Sequence, residues 1–110
     1  MSGMQHRFPN IETQMKAAEI SEIIKPCEAH VSRPNEDVRY LLTDSRRLAE
    51  SRGTVFFAIT TKRNSGVKYI DELYQKGVRS FVVPTDCSVE YIDANVWRVD
   101  DTVRAMQQIA

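Results

Sequence analysis

Two short polar stretches hold the residue types that could do chemistry. The first, Thr43-Asp44-Ser45-Arg46, gathers two hydroxyls, a carboxylate and a guanidinium within four residues. A guanidinium grips phosphate oxygens with two parallel N–H bonds and hydroxyls donate to the same oxygens, so this turn suits a small polar ligand that carries phosphates. The same residues also fit a plainer reading, in which Asp44 and Ser45 close an Asx-type turn and Arg46 points into water. The second stretch, Thr60-Thr61-Lys62-Arg63-Asn64-Ser65-Gly66, lies between an apolar run and a helical pattern. Backbone N–H groups near a helix start can bind phosphate oxygens, with Lys62 and Arg63 supplying charge. Its plainer reading is an exposed polar loop with a turn glycine. The GxxxxGK[ST] spacing of a nucleotide-hydrolysing loop is absent. Both stretches touch a basic window: Arg46, Arg47, Arg52, Lys62, Arg63 and Lys68 fall between residues 46 and 68, with Glu50 the single acid there.

Other chemistries find less support. Cys27 and His30 have C-x-x-H spacing, but Cys87 and His6, the remaining soft ligands, sit in unrelated segments, which argues against a zinc site. Neither cysteine lies in a basic turn that would stabilise a thiolate, so both read as packing residues. Asp71-Glu72 and Asp100-Asp101 belong at helix starts, where the macrodipole favours acids. Tyr40, Tyr69, Tyr74, Tyr91 and Trp97 raise RNA stacking as an alternative, yet Tyr69 and Tyr74 fall on an apolar helical stripe and no RNP-like or KH-like loop is present.

The elements that must position these turns follow from periodicity. Ile20, Ile23 and Ile24 predict a helix over 18–25 that Pro26 ends. Val38 to Leu42 predicts a strand running into the first turn. Thr54 to Thr60 is β-branched and aromatic and apolar on both faces, which predicts a central strand covered on two sides. Tyr69, Ile70, Leu73 and Tyr74 make a helical stripe with Gly77 as its cap, and Ser80 to Val83 predicts a second buried strand. Strand, helix and strand within 30 residues make a βαβ unit. Residues 85–94 are a polar connection with a short helix at the centre. Asn95 to Val99 predicts a strand, and Asp100 or Asp101 caps a last helix carrying Val103, Met106 and Ile109. That helix lacks a stop signal, so the natural chain is expected to continue. Residues 1–14 have no periodicity and read as a flexible tail or leader, leaving 15–110 as one domain.

Composition sets the limits. The 110 residues are 42% hydrophobic and 27% charged, an ordinary water-soluble globular balance. Fifteen basic and fifteen acidic residues cancel, so no overall field draws the chain to nucleic acid or to an anionic membrane. The longest apolar run, Val55 to Ile59, is far short of the roughly 18 residues a membrane span needs. Two cysteines 60 positions apart without a secretory signal fit a reduced, cytoplasmic setting.

The order of these blocks resembles the N-terminal domain of the Mur ligases, which assemble the peptidoglycan stem peptide. The resemblance rests on Leu42-Thr43-Asp44-Ser45-Arg46, Gly53-Thr54-Val55-Phe56-Phe57-Ala58-Ile59, Lys62-Arg63-Asn64-Ser65-Gly66-Val67-Lys68-Tyr69-Ile70 and Gly77-Val78-Arg79-Ser80-Phe81-Val82-Val83. It covers residues 38–84 well and 15–110 more loosely. Within the family the Phe-Phe-Ala stretch and its Lys-Arg-Asn loop look most like the branch that adds D-alanyl-D-alanine to UDP-N-acetylmuramoyl-tripeptide, in the form fused to alanine racemase. The branch that adds the third stem residue is the neighbouring alternative, and a non-catalytic RNA or protein interaction module is the alternative from outside the family.

The resemblance implies a three-layer α/β/α domain with a mixed sheet of about five strands. It implies a docking domain for the UDP end of the muramoyl-peptide that does not turn over alone. By the same resemblance Thr43, Ser45 and Arg46 face the uridine diphosphate, Ala58, Ile59, Thr60 and Thr61 lie along the strand end near the uracil, and Lys62, Arg63 and Asn64 line the adjoining loop. No catalytic residue, metal or cofactor is expected in this domain. ATP and magnesium belong to a central domain beyond it, where the GxxGK[ST] loop follows the last helix, and pyridoxal phosphate belongs to a racemase if one is fused. The expected partners are the UDP-N-acetylmuramoyl-peptide and the other domains of the polypeptide, with no nucleic acid and no membrane insertion. Two positions depart from the family pattern: Ser65 stands where Asp is usual, and Val67 where His is usual.

Overall fold

The computed structural model describes residues 6–7, 15–59 and 65–109. Its strands are β1 (His6–Arg7), β2 (Met15–Lys16), β3 (Glu28–Val31), β4 (Asp37–Val38), β5 (Tyr40–Leu42), β6 (Thr54–Phe57), β7 (Ser80–Pro84) and β8 (Asn95–Val99). Its helices are α1 (Ala17–Ile24), α2 (Ile70–Gln75) and α3 (Thr102–Ile109), with 3-10 turns at Ser45–Arg47 and Gly66–Tyr69. The period of two along the inner strands decides the layers. Leu41, Val55, Phe57, Val82, Trp97 and Val99 face one side, where Ala17, Ile20 and Ile24 of α1 and Ala105 and Ile109 of α3 cover them. Leu42, Phe56, Phe81, Val83 and Val96 face the other, under Ile70 and Leu73 of α2 and Cys87 of the following connection. Both faces are therefore dry, which is why these strands read as continuous apolar runs.

The main sheet runs β1-β5-β6-β7-β8-β3, with β5 to β8 parallel and both edge strands antiparallel. This is the mixed, three-layer α/β architecture expected from the sequence, matching it at five strands and adding a sixth. That sixth strand, β1, pairs His6 with Leu41 and Arg7 with Tyr40, so part of the segment read as a tail joins the sheet.

Three local differences have physical causes. The strand expected over 38–42 is broken at Arg39, because Gly53 O accepts from both Arg39 N at 2.7 Å and Tyr40 N at 3.0 Å. The chain thus passes from β4, paired with β2 in a separate ladder, to β5. Gly53 itself has φ +79, a conformation that other residues resist. Strand β3 was not expected, since Glu28, Ala29 and His30 are exposed and carry no apolar face. It is held by pairing with β8 and by buried Asn95, whose side chain accepts from Arg33 N at 2.9 Å and donates to Arg33 O at 3.2 Å and to Ser80 Oγ at 3.3 Å.

The connection 85–94 contains turns and no helix, contrary to expectation. Aromatic contacts hold it instead. Tyr91 stacks on Tyr74 of α2 with ring centroids 3.9 Å apart and planes 4° from parallel. Two crossed hydrogen bonds complete the clamp, from Tyr91 OH to Asp71 at 3.1 Å and from Tyr74 OH to Asp93 at 2.6 Å. The Arg79 guanidinium covers the outer face of Tyr74 at 3.9 Å from the ring centroid. Burial, helped by the bond to Asp71, pushes the Tyr91 phenol up to about 12. The fold favours the neutral phenol, so this contribution is whole below about pH 10 and is lost as pH rises through about 12. A spectrophotometric titration should show a phenol ionising near that upper value, and Tyr91→Phe should remove that step.

Candidate functional site at the carboxyl rim

Because β5 and β6 are parallel and in register, with Leu42 opposite Phe56, the residues that follow them leave the sheet side by side at one rim. Open parallel sheets bind ligands in this position, beyond the carboxyl ends of their strands. The first turn, Thr43 to Arg47, and the exit of β6, Ala58 and Ile59, are thereby brought together. Opposite placement of the two would have separated Ser45 from Ile59, and the register forbids it.

The first turn is shaped by Asp44. Its Oδ1 accepts the Arg46 backbone N–H at 3.0 Å and Nε of the same residue at 3.1 Å, while Oδ2 accepts Nη2 at 3.0 Å. This is the Asx-type turn that the sequence allowed, but Arg46 is not loose in water: its guanidinium is forked onto the carboxylate. The Arg46 side bond, then burial opposing it, set the balance that holds the Asp44 carboxyl below the usual carboxylate range. The same bond raises Arg46. Ser45 is buried at 4% exposure, and Thr43 is half-buried.

The second loop is clamped at both ends. Ala58 N continues the ladder to Val82 O at 2.9 Å, and Ile59 O accepts Gly66 N at 2.9 Å, so the chain returns to the point it left. That bond uses the Gly66 N–H, which is therefore not a free donor for an anion. Ala58 is buried and Ile59 half-buried. Thr60, Thr61, Lys62, Arg63 and Asn64 lie outside the described residues. Val67 packs half-buried against the α2-side core. Lys68 lies over the Tyr69 ring at 5.2 Å.

The basic window does not stay together. Arg52 goes to the opposite rim, where it lines a concavity of about 420 Å³ with Arg39, Glu36, Asp37 and Glu50. A second concavity of about 480 Å³ lies between β3, β8 and the 85–94 connection, with Cys87, Val96 and Arg98 in its lining. Neither includes the two rim turns. Among the described residues no trio of His, Cys, Asp or Glu is placed to hold a metal ion. Both cysteines are free; the bond from Cys27 to Asp100 at 3.4 Å pushes the thiol up and so favours its neutral form. In the sequence the grip of Asp44 on Arg46 is signalled only by an i, i+2 acid–base spacing, and the close approach at Gly66 only by a glycine.

No protein-family model and no curated protein sequence matches the chain. Solved structures do. Crystal structure I of MurF from Acinetobacter baumannii overlays 87% of this chain with a TM-score of 0.71 at 23% identity. Crystal structure II of the same protein overlays 88% at 0.72 and 22%. The UDP-N-acetylmuramoylalanyl-D-glutamyl-2,6-diaminopimelate–D-alanyl-D-alanyl ligase from that organism overlays 87% at 0.71 and 20%. The chain spans 20% of the length of each of these proteins, and the likeness is one of fold.

Proposed function

We propose that this chain is the UDP-N-acetylmuramoyl-peptide docking domain of an ATP-dependent Mur ligase, of the branch that adds D-alanyl-D-alanine to the peptidoglycan precursor. The observation that carries the reading is the meeting of the Thr43–Arg47 turn and the Ala58–Ile59 exit at one carboxyl rim, on a fold shared with MurF. A uracil edge is small and reads backbone donors and acceptors, whereas two phosphates call for cations and N–H groups. Ser45 and Arg46 supply the phosphate side. Ala58 to Thr61 supply the backbone, with Lys62, Arg63 and Asn64 adjoining.

ATP and magnesium, which the resemblance implies for the complete ligase, find no match here. The chain lacks a GxxxxGK[ST] loop, and its described residues hold no metal-binding trio. No phosphorylation step is therefore assigned to these residues, and the domain's part is to bind and orient the precursor. A racemase and its pyridoxal phosphate belong to the same category of features outside this domain. No helix among the described residues is long and apolar enough to cross a membrane; a cytoplasmic setting is part of the same proposal.

Isothermal titration tests the reading. The chain should bind UDP and UDP-N-acetylmuramoyl-tripeptide saturably, and Arg46→Ala should weaken UDP by about tenfold, the size of one charge-assisted pair of bonds. Ser45→Ala should weaken it less. Absent UDP binding together with steeply salt-dependent binding to oligonucleotides would favour the interaction-module alternative instead.

A further inference from the structure

Arg46 is mostly in solvent, with its side chain 83% exposed, yet its orientation is fixed by a partner that is only 12% exposed. Asp44 is itself anchored, because the oxygen that takes Arg46 Nε also takes the Arg46 backbone N–H. A guanidinium has two edges able to give paired parallel N–H bonds, Nε with Nη2 and Nη1 with Nη2. Asp44 occupies the first. The second has no partner among the described residues.

We infer that Asp44 is a positioning residue for the diphosphate: it turns the Nη1–Nη2 edge of Arg46 outward as a fixed two-donor face for phosphate oxygens. This rests on the docking reading above and adds how the site selects its anion. The charges of Asp44 and Arg46 cancel, so this pair, as distinct from the neighbouring Arg47, recognises a phosphate by directed bonds more than by net charge. A guanidinium on an untethered stem would have to be ordered when the ligand arrives, at a cost in affinity. Charge and orientation consequently pull in opposite directions when the carboxylate is neutralised. By charge alone, Asp44→Asn gains one positive unit beside the anion and should bind UDP more tightly. By positioning, it should bind UDP more weakly.

The test is calorimetric titration of the 110-residue chain with UDP and with uridine, at constant ionic strength, in wild type, Asp44→Asn, Arg46→Ala and the double variant. Asp44→Asn keeps an oxygen to accept the Arg46 N–H, and Arg46→Ala keeps the Asp44 cap, so each preserves the turn. Asp44→Asn should weaken UDP roughly five- to tenfold and leave uridine unchanged. In the Arg46→Ala background it should cause no further loss. Unchanged or tighter UDP binding by Asp44→Asn would overturn the assignment while leaving the docking reading intact. An equal loss in the Arg46→Ala background would also overturn it, since Asp44 would then act through the turn itself. Wild-type chain that binds no UDP would overturn the docking reading, and the assignment with it.

Discussion

Gly66→Ala should cost the fold about 2–4 kcal/mol and remove most of the affinity for UDP. A Cβ built on Gly66 stands 2.8 Å from Ile59 N and 2.9 Å from both Ala58 C and Ala58 Cα. These are backbone atoms at the exit of β6, and they cannot retreat. Ala58 is fully buried, its N–H is tied to Val82 O at 2.9 Å, and Phe57 is in register with Val82. The turn at 65–66 must therefore move instead, which breaks the bond from Gly66 N to Ile59 O. Overpacking of this kind costs about 1–3 kcal/mol and the lost bond about 1 more. The positive backbone angle that makes Gly77 and Gly53 special is not involved, because Gly66 is required for space alone. Urea denaturation followed by far-UV circular dichroism checks the stability, and an unchanged midpoint would show that the close approach is relieved. The loss of UDP affinity follows from the same displacement, since Gly66 is bonded to Ile59, at the strand exit where the proposed site lies.

The parts of this molecule that were legible in the sequence are those whose information is local. Strand β8 begins and ends where Asn95 to Val99 predicted, and β6, β7 and all three helices lie where the apolar periodicity put them, because each buries a face that recurs at a fixed spacing. Strand β3 was invisible because an edge strand of Glu28, Ala29 and His30 is stabilised by pairing partners more than 60 residues away. The 85–94 connection was misread for a related reason: Tyr91 is held by Tyr74 and Asp71, neither of which is at a helical spacing from it. At the site, each turn was legible as a polar stretch after a strand, whereas the parallel register of β5 and β6 that sets the two side by side is a long-range pairing that spacing does not carry. The state of Arg46 was not legible either, since types and spacing cannot decide between a solvated guanidinium and one forked onto Asp44. The basic window was misleading as a unit, because the same strand that carries Ala58 and Ile59 to one rim carries Arg52 to the other.

Trp97→Ala should be the most destabilising change in the opposite layer, at about 4–5 kcal/mol, and UDP should partly reverse it. Trp97 is the largest fully buried side chain among the described residues; it packs from β8 onto α1, and its indole N–H donates to Ser21 Oγ at 2.6 Å. Truncation removes the ring from a close-packed layer and leaves a cavity, at about 3–5 kcal/mol for an aromatic side chain, and it forfeits the bond as well. A domain of about 5 kcal/mol, at the low end of the usual range, would then be partly unfolded. Trp97→Phe, which keeps most of the ring and loses the bond, should cost about half as much, so the pair separates packing from hydrogen bonding. The lesion is on the α1 and α3 face and leaves both rim turns in place. Ligand at a hundredfold excess over its dissociation constant adds about 2.7 kcal/mol to a folded state that binds it. Saturating UDP should accordingly raise the melting temperature of Trp97→Ala, as read by circular dichroism, and do little for Gly66→Ala, whose damage lies inside the site. Equal rescue of both variants would mean that UDP binds somewhere other than the carboxyl rim.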